Sequence, residues 1–302
     1  MFTAPMFTDE TAAREALEAV RWPTGPVCPH CGGMEQITRV EGVKQSHRPG
    51  LLYCNDCKGQ FTVTVGTVFE RSKIPLTKWW MATHLLCSSK KGISSHQIHR
   101  TLGVTYKTAW FMTHRIREAM KDRTGGLLGG GGKTVEADET YLSKSPKTHK
   151  PAGTALNAKP AIQVFALVER GGNIRSMHLD DKNIRRALGE HLDERSRLVT
   201  DGAQTYKFVM PTKAQHESVD HSKFEWARGD VHTNNLESHF SLFKRGLVGT
   251  YQHMDKKHLP RYLAEFDFRY NNRSKLGISD VSRTVNAMKG IEGKRLTYRQ
   301  AD

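Results

Sequence analysis

Two Cys-x-x-Cys pairs constrain this chain more than any other feature: Cys28-Pro-His-Cys31 and Cys54-Asn-Asp-Cys57, separated by twenty-two residues. Each turn of this kind offers two thiols on one side, and two turns together complete a tetrahedron of sulfur. Zn2+ takes four thiolates in that geometry, and with all four positions filled none is left for chemistry. The spacing therefore predicts one structural zinc, stapling a segment too small to bury a core of its own. Four incidental buried cysteines are the plainer reading, and the repeated spacing argues against it. His30 is surplus to a four-sulfur site, and the lone Cys87 reads as a buried helix residue. Unbridged cysteine pairs of this form belong to a reducing compartment.

Charge comes next. The chain carries 46 Lys+Arg against 31 Asp+Glu, a net +15, and this surplus favours a polyanionic partner, most often nucleic acid, over a merely basic surface. The cations are spread over 90–123, 143–159 and 244–275, which suggests several contact surfaces instead of one tail. Apolar runs are a handful of residues long, well short of the roughly 18 to 20 a membrane span needs. The opening "MFTAPMFTDETAAREAL" has neither a basic n-region nor an apolar core, so it is not a secretory signal. The expectation is a cytoplasmic protein with no membrane partner.

Periodicity divides the chain. A helix over 9–20, capped by Thr8 or Asp9, belongs to an N-terminal segment 1–24, and short strands around the second cysteine pair complete a zinc ribbon over 25–70. From Leu76 the pattern is helical, giving a helix-turn-helix region over 74–123, and "TGGLLGGGGK" marks a Gly-rich linker over 124–133. That glycine run is not a phosphate-binding loop: the position needing the first glycine is Leu127, and a strand follows where a helix is required. Beyond it come a strand "TVEADETYL", a polar basic loop over 143–159, and a hairpin turning at Gly171-Gly172. A helix "NIRRALGEHLDE", a short strand "RLVTD" and two further helices then precede a basic tail over 286–302. This order predicts a mixed α/β layer domain over 134–285.

Within 74–123, Ile98 and Leu102 face inward on a short helix, Gly103 makes the turn, and Ala109, Met112, Ile116 and Met120 form the stripe of a second helix. Lys107, His114, Arg115 and Arg117 lie off that stripe, where a recognition helix would face a major groove. Any small three-helix bundle gives a similar pattern.

The acidic residues carry the chemistry. Asp138 lies in "VEADETY", Asp201 ends the apolar strand "LVTD", and Glu237 sits on an amphipathic helix, "HTNNLESHFSLFKRGLVGTY". In that helix Leu236, Phe240, Phe243 and Leu247 form the buried stripe, and Glu237, Ser241 and Lys244 line up beside it. Carboxylates at strand ends and on a helix edge, within a basic protein, suit holding two divalent cations about 3.5–4 Å apart beside a phosphodiester. Magnesium prefers such hard oxygen ligands, with manganese as an alternative. A lone Asp at a strand end is more often a turn residue, and Glu136, Glu139, Asp230 and Glu265 are rivals that periodicity does not separate. The Glu237–Lys244 pairing is equally consistent with a solvated surface pair.

These motifs resemble a known family. "CPHCGG…YCNDCKGQFTVTVGTVFERSKIPL", "VEADETYL", "VTDGAQTY" and "HTNNLESHFSLFKRGLVGTY…KHLPRYLAEFDFRYNNR" are similar, in order and over nearly the whole chain, to bacterial insertion-sequence transposases with an N-terminal zinc ribbon and an ISXO-type DDE domain. The resemblance implies an RNase H-like catalytic fold: a mixed sheet with flanking helices, preceded by the ribbon and the helix-turn-helix. It implies Mg2+-dependent cleavage at terminal inverted repeats of double-stranded DNA and strand transfer into target DNA, with the protein acting at the nucleoid. It places the catalytic, metal-holding carboxylates at Asp138, Asp201 and Glu237, with Lys244 as the accompanying basic residue; Asn235 is the next choice for the third ligand. His232 and Ser241 would line the site, and Arg245 and His253 would touch the DNA backbone. Synapsis of two element ends implies a homodimer or a larger assembly. The rival functions are a catalytically inactive zinc-ribbon DNA-binding regulator and an RNase H-like nuclease acting on hybrids.

Overall fold

The computed structural model describes residues 2–40, 47–122, 125–142, 162–179, 183–202, 206, 215–294 and 296. The basic loop expected over 143–159 lies outside them. The chain divides into two units, Met1–Lys121 with Asn272–Asp302, and Asp122–Asn271.

In the first unit α1 (Pro5–Thr8) leads into α2 (Glu10–Arg21), whose cap is Asp9, accepting from the Ala12 backbone N at 2.7 Å. Three short strands, β1 (Ile37–Arg39), β2 (Leu52–Cys54) and β3 (Gln60–Phe61), pair antiparallel in that order. Glu10 then accepts from the Leu76 and Thr77 backbone N at 2.7 and 3.2 Å, supplying the acidic cap that α3 (Leu76–Ser88) lacks in its own sequence. The pair α4 (Ser95–Leu102) and α5 (Tyr106–Ala119) follows, joined through Gly103 at φ 59°. Gly103 is the turn the sequence predicts, at a φ that a residue with a Cβ adopts only at a cost. Ile98, Leu102, Ala109, Met112, Ile116 and Met120 are all buried, as their spacing requires.

The second unit is a five-stranded sheet. Its strands are β4 (Thr134–Leu142), β5 (Ile162–Glu169), β6 (Ile174–His178), β7 (Arg197–Asp201) and β8 (Gln215–Val219), in the order β6-β5-β4-β7-β8. Central β4 runs antiparallel to β5 and parallel to β7, which is itself parallel to β8. One face packs Val135, Ala137, Phe165 and Leu167 against Ile184, Ala187 and Leu188 of α6 (Ile184–His191). The other packs Val164, Ala166 and Val168 against Leu236, Phe240 and Phe243 of α7 (Asn234–Gly246) and Leu263 and Phe266 of α8 (Leu259–Asn271). The sheet is therefore sandwiched, and β5, apolar on both sides, is its driest strand.

Edge strand β6 is sealed by side chains. Asn271 of α8 accepts from the Ile174 N at 2.7 Å and donates to the Ile174 O at 3.1 Å, and Asp267 accepts from the Ser176 N at 2.6 Å. These bonds replace the strand partner that an open edge would seek.

Two boundaries differ from the sequence expectation. Leu128, in the glycine-rich stretch, is buried in the second unit, its N donating to His191 O at 2.8 Å and its O accepting from Asp193 N at 2.9 Å. Gly129 beside it (φ 91°) has no room for a Cβ, which would fall 2.0 Å from Ser196 Oγ. The other difference is α9 (Asp280–Lys289), which belongs with the first unit: buried Arg283 donates to the Cys87 O at 2.9 Å, and His84 Nδ1 lies 3.0 Å from Thr284 Oγ1. Among the described residues no helix is long and apolar enough to cross a membrane.

Candidate functional site

The four cysteine sulfurs come together as the spacing predicts. All lie within 4.8 Å of one another, with Cys28–Cys57 and Cys31–Cys54 sulfur separations of 3.6 Å. Two tight turns do this: Gly32 N and Cys28 N bond to Cys28 O and Gly33 O, both at 2.9 Å, and Cys54 N bonds to Gly59 O at 2.9 Å. The thiols do not ionise alike. Against its burial, backbone N–H groups of Cys31 and His30 lower Cys28 to about 7. Against its Gly33 N–H bond, burial and the neighbouring thiols push Cys31 up to about 12. Four soft donors at this separation fit one Zn2+, which would hold all of them as thiolates.

The second unit gathers carboxylates. Along β4, Glu136, Asp138, Thr140 and Leu142 point to the α7 side of the sheet, since Val135 and Ala137 belong to the opposite core. The parallel register Glu136↔Val199, carried two rungs further, sets Asp138 level with Asp201 at the end of β7. Glu237 stands in the first turn of α7, exposed, with His221 Nε2 3.8 Å from its Oε1. Burial pushes Asp138 up to about 7, and the charges of Asp201, Glu139 and Glu237 add to the effect, while a 2.7 Å bond from Glu139 N opposes it. Asp138 thus feels the charges of Asp201 and Glu237, although among the described residues only the cysteines place three or more candidate ligand atoms within 4.8 Å. Glu139 occupies the other face, where buried Tyr206 donates to it; burial raises both groups.

The rival acids have other work. Glu136, fully buried, accepts from Asn235 N at 3.1 Å, Asn235 Nδ2 at 2.7 Å and Arg170 Nε at 2.8 Å. Arg170 also donates to the Asp230 and His232 carbonyls at 2.6 and 2.9 Å. A buried carboxylate on β4 therefore caps the start of α7 and fixes the helix from which Glu237 projects. Asn235, the alternative third ligand, is committed to this clamp. Asp230 is held by Arg197, whose bonds lower it to about 2, and Glu265 is buried with Tyr251 and Arg269. Leu236, Phe240 and Phe243 are buried as expected, and Leu247 packs only partly, beginning the π-helical turn Leu247–Tyr251. Lys244 and Arg245 are exposed on α7, Arg245 donating to Ser241 O of its own helix at 3.3 Å.

The groove-facing expectation for α5 needs correction. His114 is 0% and Arg117 1% exposed, so both lie inside the first unit instead of facing outward; they stand about one turn from each other, beside the Ile116 stripe, on a helix packed on more than one side. Lys107 is exposed. Arg115 stacks over Phe111 at 4.5 Å and donates to the Glu70 O at 3.2 Å. Both line a cleft of about 310 Å3 with Arg71 and Lys73, no acid among its lining residues. Arg71 and Lys73 escaped the sequence reading because they follow the ribbon instead of lying on the helix.

Comparison with known proteins agrees with this arrangement. Residues 127–271 match the ISXO2-like transposase domain, and residues 8–60 match a transposase zinc-ribbon domain. The chain is also 30% identical, over 285 residues covering 89% of it and 93% of the relative, to an "Uncharacterized protein in transposable element ISH50" of Halobacterium salinarum. The chain belongs to the ISXO2-like insertion-sequence transposases. In this transposase the domain match spans β4 to α8, and so takes in Asp138, Asp201 and Glu237 together with the Glu136 clamp. The ribbon match takes in the four cysteines.

Proposed function

We propose that this transposase cuts double-stranded DNA at the terminal inverted repeats of its element and joins the freed ends to target DNA. The observation that carries the reading is Asp138, half-buried on β4 and pushed up to about 7 by burial and by the charges of Asp201, Glu139 and Glu237. Carboxylates held in mutual repulsion favour divalent cations, and an all-oxygen donor set fits Mg2+, or Mn2+ in its place. Two Mg2+ ions, when bound, supply an activated water or 3′-hydroxyl and neutralise the leaving oxygen. Asp138 and Asp201 would hold them from adjacent strand ends, and Glu237 from the helix that Glu136 caps. Lys244, two turns along α7, would pair with a backbone phosphate beside the site.

The strand order, with central β4 antiparallel to β5 and parallel to β7, supports an RNase H-like fold. Helices α4 and α5 around Gly103, with the basic cleft beside them, support a helix-turn-helix engaging the duplex. Synapsis of two ends would require a dimer or a larger assembly, working on cytoplasmic, nucleoid DNA.

The test is incubation of the whole protein with an end-containing duplex and Mg2+, following nicks at the repeat boundary. Cutting there, abolished in Asp138→Asn and Asp201→Asn while duplex binding persists, is the expected result. Binding without cutting in the unaltered protein would leave only a DNA-binding regulator. Preferential cutting of an RNA–DNA hybrid would make it a nuclease. Binding should weaken steeply as salt rises.

A further inference from the structure

Beside Glu237 a turn carries two aromatic rings into solvent. Phe224 is 83% exposed, more than any other large apolar side chain among the described residues, and Trp226 is 60% exposed. Phe224 also adopts φ 58°, a left-handed conformation costly for a residue with a bulky side chain. The turn is braced: Phe224 N bonds to His221 O at 3.1 Å, Glu225 N to Asp220 O at 3.2 Å, Ser222 N to Asp220 Oδ1 at 3.0 Å, and Asp220 N to Glu225 Oε2 at 3.2 Å. The rings are therefore displayed by a built loop. His221 joins them to the acidic site, its ring 4.9 Å from that of Trp226 and its Nε2 3.8 Å from Glu237. The flanking cations Lys223 and Arg228 have side chains 79% and 59% exposed, each in a surface ion pair that a phosphate could exchange, with Asp220 at 3.4 Å and Glu225 at 3.5 Å.

We propose that Phe224 and Trp226 form a stacking platform for a nucleobase drawn out of the duplex next to the cleaved phosphate. The inference rests on the DNA-cutting reading and adds to it a site for the base. A phosphodiester inside a stacked duplex is hard to bring level with carboxylates at strand ends, and extruding a neighbouring base frees the backbone to approach. An exposed aromatic face compensates for the stacking lost, without regard to base identity. Lys223 and Arg228 suit the phosphates on either side of an extruded nucleotide. A protein partner would more naturally meet a broad apolar patch than two rings on a narrow turn flanked by charge.

The test compares cutting of a fully paired end duplex with that of the same duplex mismatched beside the cut, where the base is already unpaired. For Trp226→Ala and Phe224→Ala the paired substrate should be cut about 10-fold more slowly, a typical effect of removing one stacking ring, and the mismatched substrate within about 2-fold of the unaltered rate. Trp226→Phe should restore the paired rate. Equal losses on both substrates, with an unchanged thermal melt, would overturn the platform, as would no loss on the paired one. An unaltered protein that cuts neither substrate overturns the functional reading as well; one that cuts both while Trp226→Ala cuts them equally well overturns the platform alone.

Discussion

In the first unit, four sulfurs within 4.8 Å are supplied by two four-residue turns. In the second, the three carboxylates proposed to act together stand on β4, β7 and α7, elements far apart in the chain, with Glu136 of β4 capping α7. Both sites collect groups that repel one another when charged. In the ribbon, a Zn2+ held by those sulfurs would supply the stability a short segment lacks. The acidic site instead draws on stability made elsewhere, in the two cores of the sandwich. A site built by local turns is legible in spacing; a site built by topology is legible only when each of its parts has an independent signature.

Stripping zinc should give the largest effect. Structural Zn2+ contributes on the order of 10 kcal/mol in small ribbons, so Cys54→Ser or chelation should unfold 25–70. Proteolysis should then cut within that range and spare the sheet; a ribbon that resists protease without zinc would break the contrast. Next comes Glu136→Ala. Removing one partner of a buried ion pair costs about 3–5 kcal/mol, here at the N-terminus of α7. Zinc content should be unchanged while the sheet unit melts earlier and the affinity for Mn2+, measured by titration, falls. Asn235→Ala should do the same more mildly.

Asp138→Asn should make the protein more stable at neutral pH. An unfolded Asp releases its proton at about pH 3.9, whereas in the fold Asp138 does so at about 7. A raised value means that the contribution is fully present below the unfolded value and is lost as pH climbs through the folded one. In magnesium-free, zinc-replete buffer the variant should therefore gain roughly 2 kcal/mol over the unaltered protein at pH 8, allowing for partial solvent screening, and nothing at pH 4. Urea unfolding at the two pH values measures this, and equal midpoints at both would remove the repulsion argument. The smallest effect belongs to Lys244→Ala: about tenfold slower cutting and a salt slope of binding shallower by about 0.9, one phosphate contact.

Much of this was readable from residues alone. The cysteine turns, the burial of Leu236, Phe240 and Phe243, the hairpin at Gly171 and the α4–Gly103–α5 pair all follow from patterns dictated by turn chemistry or helical period. Among the elements that were not readable are β8 and α9. Strand β8, Gln-His-Glu-Ser-Val, has one fully buried residue, Val219, and shows no apolar alternation because it lies at a sheet edge. Helix α9 buries Arg283, Thr284, Ala287 and Met288 and exposes Val281, so its inner face looks polar; only the cap Ser279 and the following Gly290 mark it. The burial of His114 and Arg117 was hidden for a related reason: basic residues read as solvent-facing until a helix is surrounded. The roles of Glu136 and Asn235 could not be separated from ligation, since a cap on a neighbouring helix leaves no local signature.

The division of the chain has an outcome for synthesis. The sheet-bearing unit is encoded inside the other unit, whose helix α9 leaves the ribosome after all the described strands and Asp138, Asp201 and Glu237 are already made. A ribosome adding about 5–20 residues per second would release the sheet-bearing unit to fold first, with the flanking unit still waiting for α9. A chain ended just after α8, by a stop codon or a protease, would keep Asp138, Asp201 and Glu237 yet lack Arg283 and Met288 from the packing around α3. Such a fragment would keep an intact sheet and leave the first unit with an unfilled core.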